Sequence, residues 1–378
     1  MSNPRRPLRL LHVVDSLERG GLERVVVDLA ITQCRAGDQV AVFSIQDTGG
    51  FRPELEDAGV PVIVGAKRRT LDLRVLRRLR HAALAHSGVE VVHAHNFVPN
   101  YYAAAALIAA GRHPALVGTC HDMGTRLTNR RLRWLYRWSL MRTARVAMVG
   151  RQVHDRYVTS GWVDAGRATT VRNGIPVERF GISPERRASA RAQLGLPPDA
   201  IVIGCVGRLV QLKNHRLMIA VLPELVGAHP ATRLVLLGGG PLREELQAQA
   251  AALGLLDRVV FAGERAGVAD LLPAFDVFAM PSLTEGLSVA LLEACATGLA
   301  VVATAVGGNP EIVGEAKAGL LVPPGDPSAL RDAIGRMLDD GGLRERFGGA
   351  ARRWTQTHAS MDAFRDAYDA LYREAIAA

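Results

Sequence analysis

Short apolar runs alternate with longer amphipathic stretches along the first half of the chain. The runs are rich in β-branched residues and predict strands, whereas apolar positions spaced three and four apart predict helices. The predicted strands are Leu8–Val14, Gln39–Ser44, Val60–Val64, Val89–Ala94, Ala115–Cys120 and Arg145–Val149. The predicted helices are Leu22–Arg35, Leu71–His86, Tyr101–Ala110 and Arg131–Arg142. Strands that alternate with helices form βαβ units, so we expect a parallel sheet with helices packed on it.

The same alternation starts again after about residue 183. The predicted strands are Ile201–Val206, Arg233–Leu237, Arg258–Phe261, Val277–Met280, Ala300–Ala303 and Gly319–Val322. The predicted helices are His215–Val226, Arg243–Leu253, Val289–Thr297 and Pro327–Leu338, followed by a final helix over Met361–Ala378.

A chain of 378 residues is too long for one ordinary core, so we expect two domains. The stretch Asn173–Pro184 contains two Gly and two Pro and is the expected joint between them. The predicted domains are 1–180 and 184–360, each a Rossmann-like, doubly wound parallel sheet. Such sheets bind ligands at the carboxyl ends of their strands, and we expect the two domains to face a common cleft.

The composition is that of a globular protein, with 48% apolar and 22% charged residues. No apolar stretch approaches the ~20 residues that span a bilayer, and the first residues lack the pattern of a secretory signal. The four cysteines are far apart in the sequence and show no zinc-binding spacing, so we expect them to be reduced: Cys34, Cys120, Cys205 and Cys295. These features favour a cytoplasmic protein.

The net charge of +9 is concentrated in the first half of the chain. Residues 1–180 contain 27 Lys and Arg against 15 Asp and Glu, whereas residues 181–378 contain 19 against 22. The excess either forms an ordinary solvated surface or attracts an anionic partner, such as the inner face of a membrane or a phosphate-bearing acceptor. Nucleic acid is not an expected partner, because no nucleic-acid-binding module is present.

The strongest candidate site follows the predicted strand Val277–Met280. Ser288 suits the N-cap of the next helix, whose free N–H groups and dipole favour a bound diphosphate. Glu285 precedes this helix and Glu293 lies within it, so the two carboxylates flank the anion site. Such acids can accept hydrogen bonds from sugar and ribose hydroxyls. The alternative is two ordinary surface glutamates, although Glu293 is the only charged residue between Gly286 and Ala303.

A second candidate lies at the end of the predicted strand Ile201–Val206. Gly207 and Arg208 follow this strand, and Lys213 comes five residues later. Both cations are suited to a diphosphate and to the charge that develops on a leaving nucleotide. Two surface cations are the alternative. Gly20 and Gly21 follow the first strand without a GxGxxG pattern, so a plain turn explains them nearly as well as an anion site.

Histidines also mark strand ends. His93 and His95 end the fourth predicted strand, and His121 directly follows the fifth. A metal site, a structural role, or contact between His121 and a sugar in the cleft are all open. No paired-carboxylate motif accompanies the histidines, so we expect neither a metal nor a cofactor.

These motifs together resemble the retaining GT-B glycosyltransferases of family 4, also called group 1 glycosyltransferases. The resemblance covers essentially the whole chain and includes Asn173-Gly174-Ile175 and the segment Leu320–Asp326. The Gly-Gly-Leu-Glu-Arg sequence at residues 20–24 is similar to members serving exopolysaccharide or lipopolysaccharide biosynthesis. One departure is Ser288, where many members have Pro or Gly, and it places the identity of the donor sugar in question.

The resemblance implies a metal-independent hexosyltransferase that uses a UDP- or GDP-sugar donor and a glycan or lipid-linked acceptor. Domain 1–180 would bind the acceptor, domain 184–360 would bind the donor, and helix 361–378 would cross back onto the first domain. The donor sugar would be bound by Glu285, with the Gly286 and Leu287 amides nearby, and the ribose by Glu293. The implied diphosphate contacts are Arg208, Lys213, Gly207, Gly20 and Gly21, with His121 beside the transferred sugar.

Three other functions remain open from the sequence. The first is a nucleotide-sugar epimerase or phosphorylase on the same plan, which would act on the donor without a glycan acceptor. The second is a non-catalytic subunit that binds a sugar nucleotide. The third is an NAD-dependent dehydrogenase, which the missing GxGxxG fingerprint disfavours.

Overall fold

The computed structural model describes residues 5–18, 20–47, 49–69, 72–84, 88–108, 110, 114–121, 129–265 and 267–378. The chain divides into two compact units. Unit 1 comprises Met1–Gly174 together with Met361–Ala378, and unit 2 comprises Ile175–Ser360. Each unit contains one parallel sheet with helices on both faces, which confirms the predicted fold class.

The sheet of unit 1 has seven strands in the order β3-β2-β1-β4-β5-β6-β7, and all neighbours are parallel. Six of the strands were predicted, with bounds that differ by at most two residues. The seventh was not, because three residues of sequence Ala-Thr-Thr form no apolar run. The strands are β1 (Arg9–Val14), β2 (Gln39–Ser44), β3 (Val62–Val64), β4 (Val91–His95), β5 (Ala115–Cys120), β6 (Arg145–Met148) and β7 (Ala168–Thr170).

The helices of unit 1 form two layers. One core joins α3, α4, α5 and α6 to the sheet, whereas α1 packs with α15, which also contacts β5. The helices are α1 (Gly21–Arg35), α2 (Arg52–Asp57), α3 (Leu73–Leu84), α4 (Phe97–Ala106), α5 (Arg130–Met141), α6 (Arg151–Thr159) and, from the end of the chain, α15 (Met361–Ala377). The predicted ends of α3 at Leu71 and His86 lie outside the described residues.

The predicted position of α4 was wrong by four residues. Helix α4 begins at Phe97 rather than Tyr101, directly after Asn96, which has a positive φ of 71°. The helix includes Pro99 in its first turn, where proline is tolerated because its missing N–H has no partner within the helix. Helices α2 and α6 were not predicted.

The sheet of unit 2 has six parallel strands in the order β10-β9-β8-β11-β12-β13, all of them predicted. They are β8 (Ile201–Val206), β9 (Thr232–Leu237), β10 (Val259–Gly263), β11 (Val277–Met280), β12 (Ala300–Thr304) and β13 (Gly319–Val322). The helices are α7 (Pro184–Gln193), α8 (His215–Ala228), α9 (Arg243–Ala252), α10 (Val268–Leu271), α11 (Val289–Thr297), α12 (Asn309–Ala316), α13 (Pro327–Asp339) and α14 (Gly341–His358). Of these, α7, α10, α12 and α14 were not predicted.

Helices α8, α9 and α13 share one apolar core with the sheet of unit 2. Helices α11, α12 and α14 pack against one another. All four cysteines of the chain are free thiols, as predicted. Among the described helices, none combines the length and the apolar character that crossing a bilayer requires.

Candidate functional site

The candidate site of unit 2 lies where the strand order of its sheet reverses. Strands β8 and β11 are neighbours, but the chain leaves them toward opposite edges of the sheet. Loops that follow two such strands diverge and leave a crevice at the carboxyl edge. The loop after β8 contains Arg208 and Lys213, and the loop after β11 contains Glu285. The topology therefore brings Lys213 and Glu285 together, although they are 72 positions apart in the sequence.

Lys213 and Glu285 form an ion pair in this crevice. The Lys213 Nζ lies 2.6 Å from Glu285 Oε1, and the Ser282 hydroxyl donates to the same oxygen at 2.6 Å. The Glu285 side chain is only 7% exposed, whereas that of Lys213 is 26% exposed. A carboxylate this buried needs such partners to offset its lost hydration. The pair was not predicted from the sequence, where each residue was assigned to a different part of a ligand.

Backbone hydrogen bonds fix the loops that present this pair. The Leu283 N–H donates to the Leu212 carbonyl at 2.8 Å, which joins the loop after β11 to the loop after β8. On the other side, the Gly308 N–H donates to the Gly286 carbonyl at 2.8 Å. The Thr304 hydroxyl, at the end of β12, donates to the Ser282 carbonyl at 2.6 Å. Three neighbouring strands thus position the loop that contains Glu285.

Gly307 is the tightest point of this arrangement. Its φ is +54°, and a Cβ at this position would lie 1.9 Å from the Glu285 carbonyl oxygen. No side chain fits at that distance, and the backbone conformation also disfavours one. The glycine therefore allows the loop after β12 to lie directly against the loop that contains Glu285.

Helix α11 begins after Ser288, as the sequence predicted, and Glu285 lies in the loop just before it. Ser288 is its N-cap, and the Ser288 hydroxyl accepts a hydrogen bond from the Leu291 N–H at 3.4 Å. Leu287 is buried. Glu293 is the fifth residue of the helix and is half-buried. The first turn contains no acidic side chain that would compete with an anion for its N–H groups.

Arg208 and Gly207 lie at the end of β8. The Lys213 side chain packs along Gly207, where a Cβ would lie 3.5 Å from Lys213 Cε. Arg208 is exposed and forms no ion pair within the described residues. A Cβ at Gly238, at the end of β9, would lie 2.0 Å from the Gly207 carbonyl oxygen. The glycine-rich segment after β9 therefore packs directly on the loop that contains Arg208.

In unit 1, Gly20 and Gly21 are placed at the start of α1. Gly20 is the N-cap and Gly21 the first helical residue. The Glu23 side chain folds back over this end of the helix. A Cβ added at Gly20 would lie only 2.3 Å from Glu23 Oε2, so the carboxylate is next to the helix start. Burial raises the pKa of Glu23, and Asp15 and Glu18 raise it further. The helix start that was predicted to face a diphosphate thus has a carboxylate beside it.

The strand-end histidines of unit 1 form a buried hydrogen-bond network with residues that sequence reasoning missed. His12 Nε2 lies 2.8 Å from Gln33 Oε1, and His12 Nδ1 lies 3.0 Å from His95 Nε2. His93 Nδ1 lies 2.7 Å from the Tyr372 hydroxyl, and its Nε2 lies 2.7 Å from Thr119 Oγ1. Burial lowers the pKa of His12 to about 4 and lowers those of His93 and His95 well below the usual value.

One ring nitrogen from each of His12, His93 and His95 can be chosen so that all three lie within 4.8 Å of one another, a spacing that three metal ligands also have. Hydrogen bonds to described residues engage both nitrogens of His12, both of His93 and Nε2 of His95. Of the six ring nitrogens of these three histidines, His95 Nδ1 is the one without a hydrogen-bond partner among the described residues. The arrangement is that of a neutral, hydrogen-bonded network that joins β1 and β4 to α15.

His121 lies at the end of β5, next to this network. Its backbone N–H donates to Asn96 Oδ1 at 2.9 Å, and its ring centroid lies 5.9 Å from that of His95. Burial lowers the pKa of His121 to about 4, so the imidazole is neutral near pH 7. Its Nε2 has no hydrogen-bond partner among the described residues. A neutral imidazole with a free ring nitrogen can contact a hydroxyl.

Both units are thus doubly wound parallel sheets with polar residues at their strand reversals. This is the architecture of two-domain α/β proteins that bind ligands at the carboxyl ends of their strands. Two family models match the chain: glycosyltransferase family 4 over residues 19–179, and glycosyl transferases group 1 over residues 186–354. The chain belongs to the family 4, group 1 glycosyltransferases. This confirms the resemblance inferred from the sequence motifs.

Individual relatives agree with this family. A GDP-mannose-dependent alpha-(1-6)-phosphatidylinositol monomannoside mannosyltransferase of Mycolicibacterium smegmatis is 37% identical over 239 residues, 57% of this chain and 62% of that protein. A D-inositol 3-phosphate glycosyltransferase of Saccharomonospora viridis is 37% identical over 223 residues, 55% of this chain and 50% of that one. The match thus spans half to three fifths of each relative's length.

A solved structure shares this fold. The crystal structure of Anabaena Alr3699/HepE in complex with UDP-glucose has a TM-score of 0.84 to this chain, at 22% identity. The superposition covers 96% of this chain and 98% of that one. At this identity the likeness establishes the GT-B fold alone.

Proposed function

We propose that this protein transfers a hexose from a nucleotide-diphosphate sugar to a hydroxyl of a glycan or lipid-linked acceptor, in cell-surface polysaccharide assembly. Transfer retains the anomeric configuration and needs no metal ion. The observation that carries the proposal is the partly buried Lys213–Glu285 pair at the strand reversal of unit 2, beside the start of α11. Unit 2 binds the donor, and unit 1 binds the acceptor.

The ion pair supplies two different groups to the donor. Lys213 Nζ and the Ser282 hydroxyl both contact Glu285 Oε1, and no hydrogen bond from a described residue engages Oε2. Oε2 is therefore the acceptor for a hydroxyl of the donor sugar. The diphosphate binds at the first turn of α11, where the N–H groups, Lys213 and Arg208 surround it with positive charge. Glu293, one turn further along the helix, binds the ribose hydroxyls.

Bond cleavage builds negative charge on the departing nucleoside diphosphate and positive charge on the sugar. Lys213, Arg208 and the helix start stabilise the first of these charges. The acceptor hydroxyl attacks the face of the sugar that the nucleotide leaves, and the departing phosphate takes its proton. No enzyme nucleophile is then needed. His121, neutral at pH 7 and with a free ring nitrogen, contacts the transferred sugar.

The relatives suggest which substrates to test first. The Mycolicibacterium relative is named for GDP-mannose and a phosphatidylinositol-linked acceptor. GDP-mannose is accordingly the first donor to test. UDP-glucose, which differs in both the nucleotide base and the sugar, is the second. A lipid-linked acceptor and the basic first half of the chain together favour work at the cytoplasmic face of an anionic membrane.

The test is an assay of nucleoside diphosphate release from a panel of GDP- and UDP-sugars, with and without lipid and glycan acceptors. Mass spectrometry identifies the products, and NMR gives the anomeric configuration of the new bond. We expect one donor to be consumed in an acceptor-dependent way, with retention and without loss of rate in EDTA. Accumulation of an epimer of the donor without transfer would instead establish an epimerase.

Glu285→Ala removes the proposed hydroxyl acceptor and should lower turnover at least about 100-fold, equivalent to roughly 2.7 kcal/mol of barrier. Glu224→Ala is a matched control, because Glu224 is an exposed acid on α8 of the same unit. Normal turnover in a folded Glu285→Ala protein would remove this residue from the mechanism.

A further inference from the structure

Two helices on one face of unit 1 present an unusual outer surface. Helices α3 and α5 both pack on α4, which lies between them and is largely buried. Neither α3 nor α5 contains a single Asp or Glu. Their exposed arginines are Arg74, Arg77, Arg78 and Arg80 on α3, and Arg130, Arg131, Arg133 and Arg137 on α5. We call the outward side of these two helices the α3–α5 surface.

Large apolar side chains are exposed among these arginines. Trp134 is 69% exposed and Met141 is 67% exposed, although the opposite side of α5 packs in the core through Tyr136 and Leu140. Trp134 and Met141 are seven residues apart, so they lie one above the other on the outer side of the helix. Leu73, at the start of α3, is 64% exposed. Trp134 and Met141, exposed on the arginine-lined side of α5, indicate an interaction surface.

Among the residues that the structure describes, the arginines of α5 have no acidic partner. Arg130, Arg131, Arg133 and Arg137 form no ion pair within the described residues. Elsewhere in unit 1, by contrast, arginines commonly pair with acids, as Arg24 does with Asp28 at 2.6 Å. The uncompensated charge of α5 is therefore available to an anionic partner.

We infer that the α3–α5 surface docks on an anionic lipid bilayer, with Trp134 and Met141 inserted at the level of the headgroups. A helix with an apolar centre bordered by arginines matches a bilayer interface, where lipid phosphates lie next to the acyl chains. Tryptophan is favoured at this depth because its ring is apolar and its N–H is polar. The inference deepens the proposed membrane partner of the transfer reaction and rests on that proposal.

The test uses the full chain and sedimentation with vesicles of phosphatidylcholine and phosphatidylglycerol. Each arginine near an anionic surface strengthens partitioning by roughly five-fold. The variant R130Q/R133Q/R137Q should therefore bind roughly 100-fold more weakly than the wild type. Binding should also fall in high salt and on vesicles of phosphatidylcholine alone. Trp134→Phe should abolish the blue shift of tryptophan emission that vesicles cause in the wild type.

The matched control is R336Q/R346Q/R353Q, which removes three exposed arginines of unit 2 and the same net charge. We expect this control to bind vesicles within about three-fold of the wild type, since its arginines lie off the surface. Equal losses in both triple variants would overturn the inference, because net charge alone would then explain binding. So would a wild type that binds heparin or RNA but not vesicles. Thermal shift by the donor sugar nucleotide, which should be unchanged in all variants, tests the proposed function separately.

Discussion

Replacing Lys213 with methionine tests whether the Lys213–Glu285 ion pair serves catalysis or only stability. Methionine keeps the unbranched stem that packs along Gly207 but removes the charge 2.6 Å from Glu285 Oε1. Glu285 then keeps the Ser282 hydroxyl as a partner but loses its counter-ion. If the pair acts as proposed, both the free energy of unfolding and the turnover should fall, for different reasons.

The structure sets the size of the stability effect. Removing one partner of a fully buried pair costs about 3–5 kcal/mol. The Lys213 side chain is 26% exposed, so solvent screens part of this interaction and we expect a loss of about 1–3 kcal/mol. The effect on turnover is separate, because the ammonium group also stabilises the leaving diphosphate. Loss of one such charge should slow transfer at least about 100-fold.

The double variant Lys213→Met with Glu285→Gln separates the two effects. A glutamine at position 285 has no charge to leave unpaired, so the double variant should recover much of the lost stability. Turnover should stay low, because the cation is still absent. Denaturant unfolding gives the stability, and single-turnover release of the nucleoside diphosphate gives the rate. Arg216→Met is the control, since the Arg216–Glu245 pair is exposed and should contribute under about 1 kcal/mol. Recovery of near-normal turnover in the double variant would refute the assigned role of Lys213.

Three further predictions concern the stability of the two units. Gly307→Ala should destabilise unit 2 by more than about 2 kcal/mol in denaturant unfolding, because the new Cβ would overlap the Glu285 carbonyl oxygen. The control Gly314→Ala has open space around the new methyl group and should be near neutral or stabilising. Because burial lowers the pKa of His12 to about 4, the unfolded state binds more protons at this residue below pH 6.5, and His12 alone should contribute about 2 kcal/mol to the fall in the free energy of unfolding between pH 7 and pH 5; a slope that persists undiminished in a folded His12→Phe protein would contradict this assignment. Tyr372→Phe removes the hydroxyl that lies 2.7 Å from His93 Nδ1 and should cost about 1–3 kcal/mol, and an unchanged unfolding midpoint would show that water replaces it.

The sequence predicted the two sheets well, because buried parallel strands are continuous apolar runs. Such runs identify β8 and β11 directly, but Ala168–Thr170 is a strand only through its pairing with β6. The start of α4 was placed four residues too late, because the helix begins directly after Asn96, whose positive φ the local pattern does not show. In both cases tertiary context decided what the local pattern left open.

The sequence predicted which residues belong to the candidate site, but not how these residues contact one another. The motifs singled out Lys213, Glu285 and Ser288, and the structure places the first two in contact. Ser282 and Gly307 were missed, because their importance comes from contacts between loops that follow different strands. The Glu23 carboxylate beside Gly20 was also missed, and an anion at that helix start requires this side chain to rotate away.

The most direct test of the central claim is calorimetric titration of unliganded protein with GDP-mannose, UDP-glucose and their parent nucleoside diphosphates. We predict that one sugar nucleotide binds with 1:1 stoichiometry, that Lys213→Met weakens binding of both that donor and its nucleoside diphosphate, and that Glu285→Ala weakens only the intact donor. Equal affinity of the wild type and both variants for every nucleotide would contradict the account.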